Sequence, residues 1–67
     1  MSSPTLAMVA VVTRLIQADG LAQNREAILD SLDPMVVRSC QRAGLISWRG
    51  VATNTGREAY VMWRRHV

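Results

Sequence analysis

Sixty-seven residues, 49% of them apolar and 19% charged with a net charge of +3, make one small domain spanning 1–67. A chain of this size buries only about 60% of the surface it exposes when unfolded, which excludes a second domain, a long lid and a deep cofactor cleft. The apolar content and low net charge exclude a disordered chain, and the single cysteine, Cys40, excludes an internal disulfide and a cysteine-based zinc cage. The longest apolar run, Leu6 to Val12, is seven residues, too short for a membrane span. Met1-Ser2-Ser3-Pro4 carries no side-chain cation, which argues against a secretory signal. The expectation is a cytoplasmic domain.

Ser3 followed by Pro4 reads as a helix N-cap and first helical position, where proline's missing N–H costs nothing. The helix is expected to run to about Asp19, with Gly20 providing a left-handed exit. Leu6, Val9, Val12 and Ile16 form one apolar stripe, and Met8, Val11 and Leu15 the adjacent one. The β-branched stretch Val9 to Val12 would also suit a strand, but the cap, the length and the i, i+3, i+7 spacing select a helix. Two stripes leave it apolar nearly all round, more than a lone small domain covers. Leu6, Met8, Val9, Val11, Val12 and Leu15 are therefore expected at a homodimer or partner interface, the alternative being a central helix covered by the other three.

Asn24 is expected to cap a second helix from Arg25 to about Leu32, with Ala27, Ile28, Leu29 and Leu32 inward. Asp33-Pro34 repeats the cap-then-proline signal and opens a third helix ending near Ala43, with Gly44 as terminator and Val37, Cys40 and Leu45 inward. Two short helices so closely joined are expected to cross steeply, as in a helix-turn-helix. After Gly44 the period changes. Leu45 to Trp48, an Arg49-Gly50 turn and Val51 to Thr53 read as a short hairpin. Thr55 and Glu58 form a capping box for a last helix through about His66, with Ala59, Tyr60, Met62 and Trp63 available to the core and Arg57, Arg64 and Arg65 on the other side. The expected fold is mainly α with a short β-hairpin.

Charge divides along the chain. Residues 1–33 carry two arginines against four carboxylates, and residues 34–67 carry six arginines against one. An acidic first half and a basic second half suggest a surface for a polyanion or an acidic partner. Every cation is arginine, whose planar fork suits bidentate contacts to phosphate and guanine, although a G+C-rich genome favours it over lysine too. The reading requires the second-half arginines to converge on one exposed flank.

Helix, helix, helix, two-stranded hairpin, helix is the order of a winged helix-turn-helix domain. Gly44-Leu45-Ile46 resembles the end of the recognition helix entering the wing in MarR- and PadR-like bacterial regulators. The segment Ala52-Thr53-Asn54-Thr55-Gly56-Arg57-Glu58 resembles their Leu-Thr-x-x-Gly-Arg-Glu-like exit from it. The resemblance covers roughly residues 24–67 and implies a dimeric transcriptional regulator that binds double-stranded DNA. Two departures stand out. Pro34-Met35-Val36-Val37 opens the third helix where base readers place hydrogen-bonding side chains, and the wing has only five residues between Ile46 and Ala52.

On this reading Arg38, Ser39, Gln41 and Arg42 enter the major groove, Arg49 sits at the wing and Arg57 meets flanking phosphates, with no small-molecule ligand. The rival reading is a protein–protein interaction module, a phage or mobile-element protein that binds a host protein. Met35, Val36 and Trp48, exposed together among arginines, would form its docking surface. Trp63 is expected in the core, and Trp48 in the core or at an interface. Cys40 is expected to pack as a small hydrophobe and His66 to be solvated. The sequence has no metal-ligand spacing, nucleophile grouping, Gly-rich phosphate loop or paired carboxylates, so no enzyme, catalytic residue, metal or cofactor is expected.

Overall fold

The computed structural model describes residues 4–65, and each helix in it begins at a side chain that accepts from backbone donors left unpaired by the helix. Helix α1 (Leu6–Gly20) is capped by Thr5, whose hydroxyl accepts from the Met8 N–H at 3.2 Å. This corrects the expected start: Pro4 precedes the helix instead of opening it, and Ser3 lies outside the described residues. The other end also differs. Gly20 stays helical, and the left-handed residue is Ala22 at φ +54°. Gln23 N–H donates to Ala18 C=O at 2.9 Å and Ala22 N–H to Asp19 C=O at 3.2 Å, the paired bonds that close a helix through a left-handed residue.

Asn24 caps α2 (Arg25–Ser31), its carbonyl oxygen accepting from Glu26 and Ala27. Asp33 caps α3 (Pro34–Arg42) through the Met35 N–H at 2.9 Å, with Pro34 in the first turn. Past Arg42, Gly44 takes φ +76°, and Leu45 N–H donates to Cys40 C=O at 2.9 Å. Helix α4 (Asn54–Arg65) starts before the expected Thr55 and Glu58 box. Thr53 is the cap, accepting from the Gly56 N–H at 3.1 Å, and Glu58 is exposed. His66 lies outside the described residues.

The expected hairpin does not form. Among the described residues there is no strand and no sheet, and 69% are helical, so the domain is all-α and the winged-helix expectation is overturned. What remains between α3 and α4 is one antiparallel bridge, Ile46 to Ala52. Its neighbours are Ser47 N–H to Val51 C=O at 2.8 Å and Thr53 N–H to Leu45 C=O at 3.0 Å. Pairing stops there for local reasons. The Ser47 hydroxyl accepts from the Arg49 and Val51 N–H groups, so a side chain takes the Val51 donor that the next ladder pair would use. At the other end Thr53 is already committed to capping α4.

Helix α1 is the hub. It packs against α2, α3 and α4, whereas α4 touches neither α2 nor α3. Val11, Val12 and Leu15 of α1 meet Cys40, Leu45, Ile46 and Ala52 in the core, and Ile28, Leu29, Leu32, Val37, Ala59 and Tyr60 close around them. The double stripe on α1 is thus consumed inside the chain. Val9, Val11, Val12 and Leu15 are buried and Met8 half-buried, so of the residues expected at an interface only Leu6 is exposed. Helix α4 approaches through Gly56, where a Cβ would stand 2.0 Å from the Leu45 carbonyl oxygen. Only glycine admits that contact.

Candidate nucleic-acid interface

The arginines fall into two populations. Those of the first half are half-buried and bonded within the chain: Arg25 pairs with Asp19 at 3.1 Å, and Arg14 donates to Gln23 at 2.9 Å. Those of the second half, Arg38, Arg42, Arg49, Arg57, Arg64 and Arg65, are all exposed. Arg64 leans back over its own helix, donating to the Tyr60 hydroxyl at 3.2 Å with its guanidinium 5.5 Å from the ring centre. The Arg25–Asp19 contact is the one ion pair among the described residues, so the positive charge of the second half is not neutralised by neighbouring carboxylates.

Helix geometry brings some of the expected site together. Pro34, Met35, Arg38, Ser39 and Arg42 line a shallow open groove on the outer face of α3. Arg38 and Arg42, four residues apart, are neighbours on that face. Met35 is 78% exposed and shares the groove, placing an apolar side chain where a base reader would carry a polar one. Ser39 is less free than the sequence suggests, because its hydroxyl donates to the Met35 carbonyl at 3.0 Å and keeps only its acceptor side.

The rest of the expected set is placed elsewhere. Gln41 is half-buried and reaches the Trp48 carbonyl at 3.5 Å, holding the turn after α3 instead of pointing to solvent. Arg49 sits in that turn, whose Gly50 is buried against Leu29 of α2. Arg57 lies on α4, in a separate groove with Glu58, Val61, Met62 and Arg65. Arg38 and Arg42 thus border one groove and Arg57 and Arg65 another, on helices that do not contact each other.

Trp48 is 78% exposed at the turn and Trp63 41% exposed on α4, so neither indole is the core centrepiece, and Met62 is exposed beside Trp63. The signal for Met62 was present in α4, whereas the period places Trp63, seven residues beyond Gly56, on the inward side. Gly56, Ala59 and Tyr60 are the buried or half-buried residues, and Val61 and Met62 fall on the opposite side of the 3.6-residue turn. Cys40 is fully buried, its thiol 3.5 Å from the Met8 carbonyl and its pKa raised by burial. Among the described residues no three His, Cys, Asp or Glu side chains come together as a metal site, and no helix is long and apolar enough to cross a membrane. In comparisons with known proteins, no family model, no curated protein and no solved structure matches the chain.

Proposed function

We propose that this chain is a small DNA-binding protein of the cytoplasm, a transcriptional regulator that engages duplex DNA through the outer face of α3 and the following turn. The observation that carries the reading is the division of the arginines: the first-half pair is spent on internal bonds, while Arg38, Arg42 and Arg49 project unpaired. Arg38 and Arg42 grip phosphates from α3, and Arg49 adds a third cation from the turn. With Met35 at the front of α3 and Gln41 turned aside, few groups remain for base edges. Affinity therefore comes mainly from the backbone and carries little sequence preference.

The test is fluorescence anisotropy with a labelled duplex over a salt series. Three phosphate contacts give a log–log slope of about −2.7, a loss of about 40-fold in affinity between 50 and 200 mM salt. Arg42→Glu should abolish binding and leave the circular dichroism spectrum unchanged, since Arg42 is exposed. Undiminished binding by that variant rejects α3 as the contact face.

One observation favours a second reading, a protein-docking module. Met35 and Trp48 are the most exposed large apolar side chains among the described residues; Met35 shares the α3 groove with Arg38 and Arg42, and Trp48 stands in the following turn beside Arg49. A partner recognised that way would stay bound at high salt and be lost on Trp48→Ala, the opposite pattern to DNA.

A further inference from the structure

Helix α4 carries a second face that is exposed among the described residues. Asn54, Arg57, Glu58, Val61, Met62 and Arg65 line one open groove along it, a stripe running the length of the helix. Val61 is 47% and Met62 61% exposed in its middle. A second groove on the flank of α4, bordered by Pro4 and Trp63, shares Glu58 and Met62 with the first, so the apolar surface continues across the helix. Neither Glu58 nor Arg65 has an ion-pair partner among the described residues.

We propose that this face receives a second copy of the chain, α4 against α4, antiparallel about a two-fold axis. In such a pairing, opposed residue numbers add to a constant, and two registers one helical turn apart lay the stripe on itself. One sets Arg57 against the partner's Met62 and Glu58 against the partner's Val61, charge on apolar each time. The other, centred between Val61 and Met62, sets Val61 against the partner's Met62 and Glu58 against the partner's Arg65. Symmetry repeats both contacts. The second register joins apolar to apolar and opposite charges to one another, so the stripe contains both halves of its own match. That self-complementarity identifies the occupant as another copy. The proposal stands apart from DNA contact, because Arg38, Arg42 and Arg49 lie off α4.

Sedimentation velocity on the intact chain across the micromolar range tests it. The wild-type chain should dimerise, and Glu58→Arg or Arg65→Glu alone should weaken dimerisation by about tenfold or more, since each turns two attractions into two repulsions. Both positions are exposed, so the fold should persist, which circular dichroism checks. Mixing the two variants is the decisive arm: the antiparallel register then sets Arg against Glu at both ends, and a heterodimer should form from two monomeric chains. A wild-type chain that stays monomeric, variants that dimerise as well as the wild type, or a mixture that stays monomeric each overturns the proposal.

Discussion

Substituting Gly56 by alanine separates helix propensity from tertiary contact, because the two predict opposite signs. Alanine is favoured over glycine in a helix by up to about 1 kcal/mol, so propensity alone stabilises the variant. The added Cβ would lie 2.0 Å from the Leu45 carbonyl oxygen and 2.9 Å from its carbonyl carbon. This neighbour is backbone and cannot rotate away. It is held on both sides, by Leu45 N–H to Cys40 C=O and by Thr53 N–H to Leu45 C=O. Reaching even 3.0 Å requires the start of α4 to retreat by about 1 Å, which loosens its seat on α1. Overpacking of this kind costs about 1–3 kcal/mol, and a rigid backbone neighbour puts this case at the upper end. A net loss of about 2 kcal/mol is expected, a large part of the roughly 3–10 kcal/mol available to a domain of this length. Thermal unfolding followed by circular dichroism should show a fall of roughly 8–16 °C. Gly20→Ala is the control: nothing lies within 4 Å of its Cβ, and its midpoint should rise by a few degrees. If Gly56→Ala rose in parallel, the close seat of α4 on Leu45 would be refuted.

Ala22 holds a left-handed φ of +54°, so Ala22→Gly should raise stability by about 0.5–1 kcal/mol, checked by urea unfolding; a loss would mean the exit of α1 is not left-handed. Leu15→Ala empties a fully buried position on the hub helix and should cost about 2–5 kcal/mol at any protein concentration. A concentration-dependent loss would return Leu15 to an interface. Cys40 should resist alkylation until denaturant unfolds the chain. Burial raises its thiol above the ordinary 9.0, so the folded chain keeps a proton that the unfolded chain releases. Stability should therefore fall as pH climbs past about 9, and Cys40→Ala should flatten that slope in chemical denaturation.

Helix boundaries were legible wherever one local bond decides them. Asn24, Asp33-Pro34 and Gly44 act on donors or acceptors within a few residues, and each sits where the sequence places it. Where two hydroxyls compete, the pattern does not choose between them. Ser3 and Thr5, or Thr55 and Thr53, offer the same chemistry two residues apart, and tertiary seating decides: Thr53 also donates its hydroxyl to the Gly44 carbonyl, which ties the end of α3 to the start of α4. The hairpin failed for a reason that the β-branched residues conceal, since Ser47 satisfies the turn's donors itself. The apolar excess of α1 was visible, but whether a helix is a hub or an edge depends on how many elements reach it. The site shows the same limit. Exposed arginines on α3 follow from its period, whereas the inward reach of Gln41 depends on a contact across the chain.

The central position of α1 bears on biosynthesis. Its partner α4 follows α2 and α3 in chain order, and Val9 borders the groove between them. During synthesis α1 therefore keeps one side wet until α4 has followed it, and the interior closes only then. A chain ending at the Ile46–Ala52 bridge would present that uncovered side to chaperones and proteases instead of folding.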